Sequence, residues 1–300
     1  MRVFVTGASG YLGQAIAAAF VHGGHEVTGL HHSAESVERV REAGARAIQA
    51  DVARPSDYID VAKGHDVLVH AAFDYEAPVE TDLTAIDALR QVVRDSVENR
   101  HMIYTSGCWV VGETGPQPVD ETSASTDEPA DAVAWRPAHE RQVLGGGDET
   151  AITTVVRPGM VYGGSGGLVV RFFESAASKG AAEYIGDGEN RWSLVHRDDL
   201  GRLYVAIAEN RAGGMFHGVD GMPIKVIDAA RAASHAAGAD GQVARVPLEE
   251  ARQELGPVAD AVTLDQALVT SRGEEVGWTP THRSFVTNAA TAYEEWQAGG

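Results

Sequence analysis

The sequence predicts a doubly wound α/β fold, a parallel sheet with helices on both faces, followed by a smaller mixed lobe. Three observations carry that expectation. Short β-rich runs alternate with helical stretches throughout the first half of the chain. The first run, Arg2–Thr6, passes straight into a turn with spaced glycines and then a helix. Residues 66–70, Asp-Val-Leu-Val-His, have the apolar run of a strand buried on both faces.

The elements follow in order. Residues 14–22 are helical, and 26–30 form a second strand entered through Gly23-Gly24. A helix over 35–43 leads to a third strand over 45–50, and a short helix over 56–62 leads to the fourth strand. A long helix is expected over 81–98, a fifth strand over 102–106, a helix over 132–145 and a sixth strand over 151–157. Such alternation means right-handed βαβ units on a parallel sheet. Residues 112–131, rich in Pro, Glu, Ser and Thr, read as a long loop at the carboxyl ends of the strands, where such sheets bind ligands. Beyond about residue 165 the alternation weakens. Helices over 168–179, 199–209, 226–237, 248–254 and 284–297 are separated by short strands near 184, 194, 216 and 244. The expected organisation is a sheet domain over 1–165 and a smaller substrate-binding lobe over 166–300, interleaved with the first.

Composition removes several classes. The 300 residues carry 43 acidic and 24 basic side chains, a formal charge of −19 that repels phosphate backbones and anionic lipid. No nucleic-acid or membrane partner is therefore expected. The single cysteine, Cys108, rules out an internal disulfide and a cysteine-bound zinc or iron–sulfur centre. There is no apolar run of about 18 residues to span a membrane. The chain starts directly on a strand with no secretory leader, and a cytoplasmic location is the expectation.

Thr6-Gly7-Ala8-Ser9-Gly10-Tyr11-Leu12-Gly13 closes the first strand and opens the first helix. In that setting Gly7 permits the tight turn, Gly10 lets backbone approach a pyrophosphate, and Gly13 lets helix pack on strand. The helix N-terminus offers free N–H groups and the positive end of its dipole to the phosphates. This is a Rossmann-type dinucleotide site.

Other segments extend the pattern. Asp51-Val52 follows the third strand and His70-Ala71-Ala72 ends the fourth. Arg157-Pro158-Gly159-Met160-Val161-Tyr162-Gly163, Val195-His196-Arg197-Asp198-Asp199-Leu200 and Gly277-Trp278-Thr279-Pro280 come later, in that order. With the TGxxGxxG spacing, these segments resemble the extended and atypical short-chain dehydrogenase/reductase superfamily, of the NAD-dependent epimerase/dehydratase kind, over residues 3 to 280. The resemblance implies a cofactor held by Gly7, Ser9, Gly10, Tyr11, Leu12 and Gly13 at its phosphates. It implies Asp51 and Val52 near the adenine, and Ala71 and Ala72 beside the ribose and nicotinamide. Pro158, Gly159 and Val161 complete the implied contacts.

The choice between NAD and NADP is made at the end of the second strand, where an acidic residue would bind a ribose 2′-hydroxyl and repel a 2′-phosphate. Here the residues are His31-His32-Ser33, with no acid and with groups that donate to a phosphate. NADP(H) is expected over NAD(H).

Carbonyl-reducing members of that superfamily use Ser, Tyr and Lys, the last two as YxxxK. Taking Glu140 as the Glu that often follows that Lys places Arg136 at the Lys position and Ala132 at the Tyr position. The Ser position falls on Gly107, with Ser106 just before it. Arg136 can hold ribose hydroxyls and a positive charge near the nicotinamide, but it does not deprotonate. Ser106, Arg136 and Tyr162 are the candidate catalytic residues. Tyr75 is a second candidate proton donor, and His139 shares a helix face with Arg136. His196, in the family-like late segment, is expected to contact backbone or lobe residues. Cys108 is expected to be small and buried, and Trp109, Trp135 and Trp192 are candidates for an aromatic wall. Gly163-Gly164-Ser165-Gly166-Gly167 fits GxSxG but belongs to a loop, and His139-Glu140 lacks the second His of HExxH. No metal is assigned.

The expected function is an NAD(P)-dependent oxidoreductase on a small organic substrate, a carbonyl, imine or activated alkene, with a non-standard proton donor. The alternatives are a nucleotide-sugar epimerase or dehydratase, for which Arg171, Lys179, Arg191 and Arg197 are the available cations, and a non-catalytic NADP(H)-binding sensor or scaffold. A cofactor-assisted lyase or cyclase also remains open. A homodimer through helices 81–98 and 132–145 is a further expectation. The first of these carries the apolar stripe Ile86, Leu89, Val92, Val93 and Val97, a stripe that equally fits packing on the sheet.

Overall fold

The computed structural model describes residues 1–96, 99–145 and 151–299. In chain order, the sheet half holds β1 (Arg2–Thr6), α1 (Tyr11–His22), β2 (Glu26–His31), α2 (Val37–Glu42), β3 (Arg46–Gln49), α3 (Ile59–Ala62), β4 (Val67–His70), α4 (Pro78–Arg94), β5 (Arg100–Thr105), β6 (Gly115–Val119), α5 (Arg136–Leu144) and β7 (Ala151–Pro158). The rest holds β8 (Met160–Tyr162), α6 (Val170–Lys179), β9 (Ala182–Ile185), β10 (Arg191–Trp192), β11 (Leu194–His196), α7 (Arg197–Glu209), β12 (Gly214–Gly218) and β13 (Ile224–Lys225). It ends with α8 (Val226–Ala236), β14 (Val243–Val246), α9 (Leu248–Leu255), α10 (Val258–Ala261), β15 (Gln266–Leu268) and α11 (Phe285–Gly299).

Seven strands form one sheet in the order β12-β7-β5-β4-β1-β2-β3. All of its pairings are parallel. Order reverses between β1 and β4, which makes their carboxyl ends the switch point of a doubly wound sheet. Alternation along each strand builds two cores. Val3, Val5, Val67, Val69 and Ile103 point to the side covered by α1 and α7. Phe4, Leu68, Met102 and Tyr104 point to the side where Ile86, Leu89, Val92 and Val93 of α4 lie. The apolar stripe of α4 is thus spent on the sheet, and Val97 lies outside the described residues.

The later part of the chain crosses back onto the sheet. β12 adds its edge and α7 contributes Leu200, Leu203 and Ile207 to the core of α1. The Gly277-Trp278-Thr279-Pro280 segment locks α7 in place. Trp278 Nε1 donates to the Asp199 carbonyl at 2.8 Å, and the buried Asp199 carboxylate accepts from the Thr281 and His282 amides. A separate core gathers Phe172, Phe173, Trp192, Leu194 and Phe285.

Several helices differ from the sequence expectation. The second is split into a 3-10 turn, Ala34–Ser36, followed by α2. The stretch 132–145 is also split: Asp131–Val133 is a 3-10 turn and α5 starts only at Arg136. Pro137 has no N–H to bond back to the preceding turn, so it sits in the first turn of α5 and the helix cannot continue back through it. α4 starts earlier than expected, at Pro78. The 98 end of its expected range lies outside the described residues. Among the described residues no helix is long and apolar enough to cross a membrane.

Candidate active site

The glycine end of the cleft is fitted backbone to backbone. Gly7 has φ +68, and a Cβ there would lie 2.6 Å from Ala72 Cα. A Cβ on Gly13 would run into the Gly7 carbonyl oxygen, so α1 rests directly on the turn. Gly10 precedes α1 in extended conformation, and no side chain caps the helix. Its first turn is therefore open to an anion. Gln14 Nε2 and Arg39 Nη1 both reach the Ser9 carbonyl, at 2.9 and 3.4 Å. Thr6 Oγ1 accepts from the Ala71 and Ala72 amides at 3.2 and 3.3 Å, joining the ends of β1 and β4. A cradle that any Cβ would fill, below an uncapped helix, fits a dinucleotide pyrophosphate.

At the end of β2, His31 is buried and its Nδ1 donates to the Ser33 carbonyl at 2.9 Å, while His32 is exposed. The expectation that both imidazoles face a phosphate therefore needs correcting, because one His31 nitrogen is committed to its own turn. Arg39, on α2, is an exposed cation over the same loop that the sequence reading missed. Its place in the first helix after β2 was the available signal. Asp51 accepts from the Ala53 amide at 2.9 Å and faces Arg54 at 3.3 Å. The Val52 carbonyl accepts from Tyr58 at 3.2 Å.

The reacting end is a cavity of about 320 Å³. Tyr11, Leu12, Pro158, Gly159 and Val161 line its cofactor side, and Phe73, Trp109, Val133, Met160 and Leu168 make it apolar. Ser106 and Arg136 also open into it. Ser106 stands at the end of β5, where its amide donates to the Val156 carbonyl at 2.8 Å. Its hydroxyl is buried without a hydrogen-bond partner, with the residue 8% exposed. Arg136 opens α5 with its guanidinium 4.5 Å from the Trp135 ring centroid and 5.5 Å from that of Phe73. Its Nη1 donates to Tyr104 Oη at 2.9 Å and to the Thr105 carbonyl at 3.1 Å.

Other candidates fall away from this cavity. Tyr162 is fully buried in the lobe core, where its hydroxyl donates to the His282 carbonyl at 3.3 Å and its ring packs on His196 and Phe285. Burial pushes its phenol above its ordinary range. This is a correction: Tyr162 is among the residues that hold the lobe together, and it does not line the cavity. Tyr75 is 89% exposed, edge-on to Phe73 at the cavity mouth. Cys108 lines the cavity but is buried, and burial pushes its thiol up to about 12, so it is no ready nucleophile. Trp192 stacks on Phe172 in the lobe. Ser165 sits on an exposed loop rather than a nucleophile elbow.

Beneath Arg136 lies a buried polar network that the sequence reading touched only at His70 and His139. Asp82 of α4 accepts from Tyr104 Oη at 2.8 Å and from His139 Nδ1 at 2.7 Å through one oxygen. Its other oxygen faces His70 Nε2 at 3.3 Å. Burial works to raise the Asp82 carboxyl, but the adjacent His70, the Arg136 charge and the His139 hydrogen bond outweigh it and hold it at about 2. Tyr104 is raised well above its ordinary value, mainly by burial, so its phenol stays protonated.

The landmarks Glu140 and Arg157 turn out to be partners. Arg157 Nε and Nη2 grip the two Glu140 oxygens at 3.0 and 2.6 Å, both side chains being buried. The pair joins α5 to β7 and so fixes where Arg136 enters the cavity. In the lobe, each of the four cations named above meets a carboxylate: Arg171–Glu254 at 2.9 Å, Lys179–Glu183 and Arg191–Asp265 at 2.7 Å, and Arg197–Asp198 at 3.5 Å.

Comparison with known proteins agrees with this geometry. An uncharacterized protein of Schizosaccharomyces pombe is 30% identical, covering 97% of this chain and 99% of that protein. The 2-alkyl-3-oxoalkanoate reductase of Stenotrophomonas maltophilia is 27% identical over 71% of this chain and 67% of its own length. Among solved structures, a UDP-glucose 4-epimerase of Thermotoga maritima has the same fold, with a TM-score of 0.80, 19% identity and 99% of each chain covered. Residues 3–217 match the NAD dependent epimerase/dehydratase family. With the glycine cradle, the doubly wound sheet and that match together, the chain belongs to the NAD-dependent epimerase/dehydratase family of nicotinamide-dependent enzymes.

Proposed function

We propose that this chain is a nicotinamide-dependent reductase of a small, largely apolar carbonyl compound, with a preference for NADPH. The observation that carries the reading is the Ser106 hydroxyl, buried and unpartnered, in an apolar cavity that it shares with Arg136. A buried donor without a partner is costly unless a ligand satisfies it. When bound, the nicotinamide supplies the hydride. Ser106 donates a hydrogen bond to the substrate oxygen, and Arg136 holds a fixed positive charge beside the negative charge that develops there. Because Ala132 leaves no phenol at the family Tyr position, the alkoxide takes its proton from water, which reaches the cavity past the half-exposed Phe73.

Two further observations favour this over a nucleotide-sugar epimerase. The four lobe cations are already paired with carboxylates, which leaves little to hold a diphosphate. The relatives whose names describe a reaction include ketone reductases such as the 2-alkyl-3-oxoalkanoate reductase. NADPH preference rests on Arg39 and His32, both exposed beside the Ser9 loop and the end of β2, where no acid stands at 31–33.

The test is a fluorescence titration with NADPH and NADH, followed by nicotinamide oxidation with ketones, 3-oxo acids, imines, enones and UDP-hexoses. Turnover of apolar carbonyls with NADPH is expected. Epimerisation of a UDP-hexose, or tight cofactor binding with no turnover of any compound, would overturn the reading.

A further inference from the structure

The hydrogen-bond directions in the buried network can be worked out from its ends. Thr6 Oγ1 already accepts from two amides, so its own proton goes to His70 Nδ1, 2.7 Å away. That leaves the His70 proton on Nε2, which lies 3.3 Å from Asp82 Oδ1 as a close electrostatic contact without hydrogen-bond geometry. On the other side His139 Nδ1 donates to Asp82 Oδ2, and so does the Tyr104 hydroxyl. Tyr104 Oη in turn accepts from Arg136. Two hydrogen-bond donors and the neighbouring His70 N–H thus meet at one carboxylate. Hydrogen bonds and the one His70–Asp82 contact together connect Thr6, which holds the amides walling Gly7, to the guanidinium in the cavity.

We infer that Asp82 is a positioning residue that ties the dinucleotide cradle to Arg136, through His70 and Thr6 on one side and Tyr104 on the other. It lines no part of the cavity and acts only through those neighbours. An arginine in place of lysine makes such a device useful. The longer, planar guanidinium needs fixed acceptors to stay in one pose; the Thr105 carbonyl is one, and Tyr104 is the other, with its own proton directed to Asp82. The Asp82 charge also offsets a cation held in apolar surroundings. His70 and His139 carry opposite tautomers as a consequence, Nε2–H and Nδ1–H.

This inference rests on the proposed reductase only for its kinetic part. The first measurement needs no variant: nitrogen-15 NMR of the histidine rings in the apo chain. Opposite neutral tautomers for His70 and His139 are expected. Matching tautomers, or two doubly protonated rings, would overturn the network. The second measurement is cofactor affinity by fluorescence titration, together with kcat, for Asp82→Asn, Tyr104→Phe and the double variant. Each single change is expected to weaken cofactor binding and kcat by about tenfold, the scale on which outer-shell partners act on the groups they orient, with substrate KM little changed. The double variant should be no worse than Asp82→Asn, because both changes cut the same line. Unchanged affinity, or losses that multiply, would overturn the role. Should Asp82→Asn not fold, Tyr104→Phe and the NMR experiment decide it. If no substrate turns over, the reductase reading falls, while the tautomers and cofactor affinities still test Asp82.

Discussion

The two ends of the cleft are built on different terms. At the glycine end the contacts are main chain against main chain: Gly13 on the Gly7 carbonyl, Gly7 on Ala72, and Ala8 bonded to Leu30 across to β2. At the reacting end the groups are side chains delivered from separate elements: Ser106 from β5, Arg136 from α5, Asp82 from α4 and Phe73 from the loop after β4. Backbone contacts leave no room for substitution, so that end keeps the family form. Side-chain contacts can be exchanged if the charge and the acceptor are preserved. On the reading that takes Glu140 as the landmark, Arg136 replaces the family Lys and Ala132 its Tyr, and Arg136 is bonded to the Asp82 network through Tyr104. The difference teaches that backbone fixes the cradle while exchangeable side chains set the chemistry, with the Asp82 network as the link between the two ends.

The largest effect is expected at the glycine end. Gly13→Ala forces a methyl into the Gly7 carbonyl, with backbone on both sides and nothing flexible to yield. Urea unfolding should show a loss of about 1–3 kcal/mol, the usual cost of overpacking. Titration should show no detectable binding of either nicotinamide nucleotide. Tight binding by this variant would mean that the cradle is not where the pyrophosphate lies.

Next comes the reacting end. Ser106→Ala removes one donor aimed at the developing oxyanion and should lower kcat by about 10²–10³, as loss of such a donor does elsewhere. Cofactor affinity should be unchanged, because Ser106 has no bond to the cradle. A fall in cofactor affinity with kcat preserved would reverse the assignment of the two ends.

This contrast also explains what could be read from the sequence. Parallel strands, their order of appearance and the glycine turn are local patterns, and β1, β4 and α1 lie close to where periodicity and spacing put them. The active side chains meet only through tertiary packing. Nothing near Asp82 in sequence announces that Tyr104, His70 and His139 converge on it, since those residues are brought together from β5, β4 and α5. Tyr162 misled for the complementary reason. It ends β8, but that strand pairs with β11 and turns its ring into the lobe. The late start of α5 was legible in Pro137, yet the apolar periodicity around it concealed the break.

A smaller pair of effects separates the halves by pH. Asp82 is held at about 2, below its ordinary 3.8, so its contribution is present above about pH 4 and is lost as pH falls through 2, about 2–3 kcal/mol in all. Asp220, buried at the start of the loop after β12, is raised by burial to about 6 despite accepting from the Met222 and Ser284 amides. Its sign is opposite. Stability is full below its unfolded pKa and falls by about 3 kcal/mol as pH rises through 6. Unfolding free energies measured between about pH 4 and 7 should therefore fall less steeply with rising pH in Asp220→Asn than in the unsubstituted chain. Identical slopes would remove Asp220 as the cause.

The smallest effect tests specificity within the glycine end. Arg39 is exposed, and its reach across the cradle to the Ser9 carbonyl is long at 3.4 Å. A bond of that length to a neutral carbonyl is weak, so the guanidinium is free to turn to a phosphate at the end of β2. His31 cannot compete for that phosphate through Nδ1, which is held by Ser33. Arg39→Ala should then weaken NADPH about tenfold, or about 1.4 kcal/mol, and leave NADH alone. His32→Ala should cost less, because an imidazole offers a phosphate a single N–H where a guanidinium offers a fork of donors. Equal loss for both nucleotides would place Arg39 on the shared pyrophosphate instead, and the preference for NADPH would lose its main support.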